Sequence, residues 1–200
     1  MSSARTRFPR LTTRSALGWV IGTLVVVAGG AVYVAATQPE NAPYAYGTVG
    51  LLVVAVVLVA LSATWVDHSA GTVTWRRWAV VSTTVALREA TQVAVVGSGP
   101  QALLRVRAGG RGGHLVLLVL SDYVQRSQSP QVLTALADTV AAHTAPGTSG
   151  EAVALLRAQA KHLTAGGDAA TSPLARFTSK GLMRAAGGIG AAGGGLGNLG

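Results

Sequence analysis

The chain has 200 residues, 50% of them hydrophobic, with a net charge of +9 and no cysteine. Without cysteine there are no disulfides, no thiol nucleophile and no thiolate metal site. A basic balance of this size is usually met by nucleic acid or by an anionic membrane. The chain has no basic helix in a DNA-binding pattern and no aromatic stacking motif. Nucleic acid is therefore set aside, and the lipid bilayer is the expected partner.

Residues 1–16 form a basic N-terminus with Arg5, Arg7, Arg10 and Arg14. Two charge-free apolar runs follow, Leu17–Ala36 and Gly47–Val66, each of twenty residues. As helices they reach about 30 Å, the thickness of the hydrocarbon core of a bilayer. Both are rich in Val, a strand former in water. In lipid the helix prevails, because it satisfies every backbone N–H and C=O internally. The spans are therefore predicted at 17–36 and 47–66, with a loop over 37–46. That loop holds Glu40 and no Lys or Arg. Positive charge flanks the pair on the other side: the N-terminal arginines before it, Arg76 and Arg77 after it. The positive-inside rule then puts both termini in the cytoplasm of a multi-pass plasma-membrane protein.

A cleaved signal peptide is the rival reading, with Val34-Ala35-Ala36 as the cleavage site. The apolar stretch is longer than a usual signal core, which favours a retained helix. With cleavage, the remaining helix would be a single anchor. Gly18/Gly22 and Ala31/Ala35 make small-residue faces suited to packing within the pair. Neither span holds an ionisable residue, which argues against an ion or substrate path.

From Ala70 the pattern turns to short runs broken by turns. Thr72–Trp75, Trp78–Ser82, Thr83–Leu87, Gln92–Val96, Ala102–Arg107 and His114–Leu120 read as strands. In the fifth, Leu104 and Val106 alternate with Arg105 and Arg107, the mark of a half-buried strand. Gly97–Pro100 and Ala108–Gly113 are turns by composition. Ser129-Pro130 reads as an N-cap and first helical residue. Val132, Leu133, Leu136, Ala137 and Val140 then follow at helical spacing. The cytoplasmic domain is placed at 67–145, a further amphipathic helix at 151–165, and a disordered Gly-rich tail at 166–200. The last twenty residues hold nine glycines. In that tail Arg176, Lys180 and Arg184 recur every four residues, with Phe177 and Met183 nearby. The fold class is thus an α+β membrane protein: an N-terminal helical hairpin, then a small antiparallel sheet or partial barrel closed by a C-terminal helix.

A curved antiparallel sheet closed by a helix resembles the pleckstrin-homology-like (PH-like) domains that follow a two-helix hairpin in actinobacterial membrane proteins. The stretches that carry the resemblance are Thr72-Val73-Thr74-Trp75-Arg76-Arg77-Trp78, Val85 to Val93, Leu103-Leu104-Arg105-Val106-Arg107, and Leu120-Ser121-Asp122-Tyr123 leading into the helix. The resemblance implies no enzymatic activity and no particular ligand. The chain is short of strands for a complete seven-stranded barrel.

No reaction chemistry is legible. His68, His114, His143 and His162 stand apart, with no second ligand at three or four residues, so no metal site is predicted. Ser121, Asp122 and His114 lack a nucleophile elbow. The glycine groups at 97–99 and 109–113 lack the context of a phosphate loop. No cofactor is expected. The expected role is non-enzymatic: a membrane-anchored domain that binds a membrane protein partner or supports assembly of a complex. The alternative is an anionic-phospholipid-binding module that uses Arg76, Arg77, Arg105, Arg107 and Arg111. An enzyme with an unrecognised site ranks third, and the oligomeric state is left open.

Overall fold

The computed structural model of the chain describes residues 5–9, 11, 14–77, 81–145 and 147–183. It divides into two units. One comprises residues 12–63 with 76–82; the other comprises residues 1–11, 64–75 and 83–200.

In the first unit, helix α1 runs over Arg14–Thr37 and helix α2 over Ala42–Leu61, and the two are in contact. Only Gln38 and a 3-10 turn, Pro39–Asn41, lie between them. The loop expected over 37–46 is therefore mostly helical. Pro39 and Pro43 sit in first turns, where a missing N–H costs nothing. The helical stretch Pro39–Leu58 is long and apolar enough to cross a membrane, with a mean hydropathy of 1.6, and none of it is buried. Gly22–Thr37 is a shorter apolar helix. Hydroxyls in these helices donate back to the preceding turn, Thr37 to the carbonyl of Tyr33 and Thr48 to that of Tyr44, each at 2.9 Å. Of the small-residue faces, Ala31 is buried, whereas a Cβ at Gly22 would meet nothing within 4 Å. The side chain at position 18 lies outside the described residues.

The second apolar run does not stay helical to Val66. After Leu61 the chain turns into strand β2, Ala63–Asp67. The reason lies at the other end of the chain. Residues Arg5–Arg7 form strand β1, which pairs antiparallel with β2: Arg5 faces Asp67, Thr6 faces Val66 and Arg7 faces Trp65. The ladder continues as Phe8 N–H donates to Thr64 C=O at 2.8 Å. Within the basic N-terminus, expected to be only a flank, residues Arg5–Phe8 are thus part of the folded domain. Phe8 is buried in the core, and the Arg5 guanidinium lies 5.1 Å over the Trp65 ring. Strands β3 (Thr72–Arg77) and β4 (Val81–Ala86) complete a sheet ordered β1-β2-β3-β4. Residues 78–80, including the predicted strand start at Trp78, lie outside the described residues.

A second sheet holds β5 (Gln92–Ser98), β6 (Gln101–Ala108), β7 (Arg111–Leu120) and β8 (Gln125–Ser127), all antiparallel and in that order. The alternation read in β6 holds. Ala102, Leu104, Val106 and Ala108 face inward, and Arg105 and Arg107 face out. The described residues form two four-stranded antiparallel sheets and no closed barrel; with eight strands, the chain is not short of strands as the sequence suggested.

Helix α3 spans Pro130–His143, and Ser129 caps it by accepting from the N–H of Val132. Leu133, Leu136, Ala137 and Val140 bury its inner stripe. Helix α4, Gly150–Thr164, packs on α3 and contributes Leu155, Leu156 and Ala160 to the core. Arg157 on its outer face reaches Asp138 at 2.9 Å.

The tail departs most from expectation. Residues 166–183 are ordered, with 3-10 turns at Ala169–Thr171 and Pro173–Phe177 and a helical turn over 179–183. Leu174 is wholly buried in the core. Its backbone N–H donates to Gln159 Oε1 at 3.1 Å, and Gln159 Nε2 donates to Ser127 Oγ at 3.1 Å. Gln159 and Gln128 are fully buried polar side chains, and both are satisfied. Gln128 Nε2 donates to the carbonyls of Pro9 at 2.8 Å and Val116 at 2.9 Å, tying the N-terminal segment to β7. Arg176 stacks on Phe177, and Lys180 pairs with Asp122 at 2.6 Å. Arg184, with the rest of 184–200, lies outside the described residues.

Candidate anion-binding cleft

The β6–β7 hairpin turns through Gly109 and Gly110, both at positive φ (51° and 79°). Such a two-residue connection wants left-handed backbone, which glycine adopts without strain. The tight turn fixes the register: Arg105 opposite His114, Arg107 opposite Gly112, Ala108 opposite Arg111. Residues two apart on a strand share a face, and so do directly opposed residues on neighbouring strands. Arg105, Arg107, Gly112 and His114 therefore line the outward face together.

At this end of the hairpin lies a cleft of about 510 Å³, lined by Thr91, Arg105, Arg107, Arg111, His114 and the glycines at 110, 112 and 113. Gly112 removes the side chain that would otherwise stand opposite Arg107. A Cβ there would lie 2.6 Å from the Val106 carbonyl oxygen. Gly113 faces inward, where a Cβ would lie 2.4 Å from Cε2 of Trp75. Trp75 in turn donates from Nε1 to the His114 carbonyl at 3.0 Å, fixing the backbone beneath the cleft. Thr91 closes one edge, its N–H donating to the Arg107 carbonyl at 2.8 Å.

Arg107 and Arg111 are exposed, and Arg105 is half-buried. The Nε of Arg105 is itself buried, and no described group accepts from it. Among the described residues no carboxylate pairs with the three arginines. The ion pairs join Arg88 to Glu89, Arg157 to Asp138 and Lys180 to Asp122. Like charges along one cleft, with no counter-charge paired to them among the described residues, over a floor of glycine, make a site of positive potential.

Of the five arginines singled out from sequence, three meet here. Arg76 is exposed at the end of β3 and belongs with Arg77 to the helix-bearing unit; the Arg77 side chain lies outside the described residues. His114, set aside as isolated, and Thr91 are the polar members of the cleft that sequence reasoning missed.

The other candidate groups have local structural roles. Asp67 Oδ1 accepts from Ser69 N–H, Ser69 Oγ–H and Ala70 N–H, closing the turn between β2 and β3. Ser121 Oγ accepts from the N–H groups of Tyr123 and Val124. His68 Nδ1 lies 2.5 Å from Thr139 Oγ1, whose own proton goes to the Ala135 carbonyl at 2.7 Å. The His68 N–H is thus the donor. His143 and His162 donate to backbone carbonyls of His68 and Asp168. Among the described residues no three His, Asp or Glu side chains are grouped to hold a metal.

A second, mostly apolar cleft of about 320 Å³ lies between β1, β2 and α3, lined chiefly by Phe8, Pro9, Val66, Val132, Ala135 and Leu136. No family model, no curated protein and no solved structure matches this chain.

Proposed function

We propose that this protein is a non-enzymatic integral membrane protein, held in the plasma membrane by the α1–α2 hairpin with both termini cytoplasmic. In this reading its folded part is a PH-like docking domain for a partner at the membrane surface. One observation carries the reading: β1, which precedes both apolar helices, pairs with β2, which follows both.

A chain that leaves a sheet after β1 and rejoins it at β2 starts and ends on one side of any membrane it enters. The segment between must then cross an even number of times, and two helices supply two crossings. The arginine-poor stretch at Gln38–Asn41 falls at the turning point, as the positive-inside rule requires of an outer loop. The same pairing supports retention over cleavage. Removing the chain up to Ala36 would strip β1 from its sheet and Phe8 from the core. The two antiparallel sheets with α3 packed in their core support the PH-like assignment at the level of architecture.

The basic cleft favours a second reading of the docking event, in which the domain takes up an anionic headgroup instead of a protein. Each Lys or Arg near an anionic surface contributes about 1 kcal/mol.

Alkaline carbonate extraction of membranes from cells that express the full chain tests the anchor. The protein is expected to stay in the pellet; release into the supernatant would overturn it. Cross-linking of the full chain in intact cells tests docking. A single discrete partner species supports a protein partner, and monomer alone counts against it.

A further inference from the structure

We infer that the β6–β7 cleft is a binding site for a phosphate group, gripped by Arg105, Arg107 and Arg111 and bordered by His114. The inference rests on reading the chain as a binding module. It does not depend on the membrane anchor.

Four independent features converge on it. Three arginines line the cleft, and no carboxylate among the described residues pairs with them. The Arg105 Nε is buried without an acceptor. Burying a donor that way costs free energy that an incoming acceptor recovers. The floor is glycine, so a ligand can approach the backbone closely. The volume, about 510 Å³, is that of a small-molecule site and exceeds what one phosphate fills. A phosphate carried on a larger body fits these dimensions.

The donor set also selects among anions. Guanidinium is a planar fork that meets two oxygens at once, and a phosphate monoester offers three, with nearly two negative charges. Arg105 and Arg107 stand two residues apart on one strand face, and Arg111 comes from across the turn. Three forks from two strands suit a tetrahedral group with several oxygens better than a single planar carboxylate. The phosphate has two available sources: a soluble phosphorylated compound, or the headgroup of a phosphomonoester lipid.

The test uses the full chain in neutral detergent micelles. In one arm pyrophosphate is titrated and its phosphorus resonance followed for line broadening. In the other, micelles doped with phosphatidic acid are compared with micelles doped with phosphatidylcholine, and amide exchange is read over 105–114. Broadening, or slowed exchange with phosphatidic acid alone, supports the site and names the source. Arg105→Lys, which keeps the charge and loses the fork, and Arg107→Gln, at an exposed position, should each weaken binding roughly tenfold. Arg157→Gln, outside the cleft, should leave it unchanged. Should neither arm respond, or should binding persist undiminished in both cleft variants, the inference fails. Preference for a poly-glutamate peptide over pyrophosphate would also overturn it, in favour of an acidic protein segment. Failure of the anchor reading would show separately, as a chain that needs no detergent.

Discussion

The backbone N–H of Phe8 donates to the carbonyl of Thr64 at 2.8 Å, joining a residue that precedes both apolar helices to one that follows both. The helices are therefore an excursion from a sheet, inserted between two of its neighbouring strands. The domain cannot complete its first sheet until the chain has made the whole excursion and returned.

If the excursion is dispensable to the fold, β1 and β2 can be joined directly. Their antiparallel register already has the form of a hairpin. Replacing residues 10–62 with a short Asn-Gly linker, the turn chemistry that two-residue hairpins prefer, should yield a water-soluble, folded domain. Circular dichroism and a cooperative thermal transition would check this. A soluble product without such a transition would show that the helices are needed for folding.

Phe8 anchors the N-terminal strand, being only 8% exposed within the core cluster. Phe8→Ala should cost about 3 kcal/mol, near the low end for buried Phe because β1 lies at a sheet edge. The readout is the denaturation midpoint, together with faster amide exchange across β2. A change within about 0.5 kcal/mol, ordinary for a surface site, would show that the strand is not part of the stable fold.

Gln159 links α4 to the C-terminal segment through Leu174 and to β8 through Ser127. Gln159→Leu keeps the volume but leaves the buried Leu174 N–H without an acceptor. The expected loss is about 1–3 kcal/mol. Leu174→Ala, which empties a fully buried site, should cost about 2–5 kcal/mol. Both would be read by chemical denaturation. A tail free of the core would make both substitutions silent.

Gly113 presses against the Trp75 ring, and any Cβ there must displace it. Gly113→Ala should destabilise by about 1–3 kcal/mol through overpacking. It should also weaken the Trp75 bond to the His114 carbonyl, on which the cleft floor rests. Melting temperature and tryptophan emission would report the two effects separately.

In the second sheet β5, β6 and β7 were legible because their signals are local, whereas the three-residue β8 was not. Leu104 and Val106 alternate with Arg105 and Arg107, and Gly109-Gly110 marks the turn. Folding the sequence about that dipeptide already sets His114 opposite Arg105. The signal that adds His114 to the site is therefore present in the sequence, in the register about the turn and not in any ligand spacing. Helix α3 was equally local, with its cap at Ser129 and its stripe at Leu133, Leu136 and Val140.

In the first sheet β3 and β4 were legible, but the pairing of β1 with β2 was not, for a physical reason. Arg-Thr-Arg carries no hydrophobic alternation, and its partner lies on the far side of two helices. Ala63–Val66 reads as the end of an apolar run, because hydropathy does not separate a lipid-facing turn from a buried strand. Of the tail expected to be disordered over 166–200, residues 166–183 are folded, and of the nine glycines in the last twenty residues only Gly181 lies among them. Leu174 and Phe177 are the two large apolar residues in a stretch of otherwise small and polar ones, and only tertiary packing, for Leu174 beside Gln159, gives them a place. Arg76 and Arg77 were grouped with the cleft by charge alone, and charge carries no register.

The central claim is that the chain leaves the sheet, crosses the membrane twice and returns. Single-cysteine labelling tests it most directly, since the natural chain has no thiol to interfere. Glu40→Cys lies between the helices, Thr6→Cys lies on β1 and Ser98→Cys lies at the end of β5, all at exposed positions. With a membrane-impermeant maleimide, Glu40→Cys should label in intact cells, and Thr6→Cys and Ser98→Cys only after permeabilisation. Labelling of Thr6→Cys and Ser98→Cys on opposite sides, or protection of Glu40→Cys until the membrane is opened, would contradict the account.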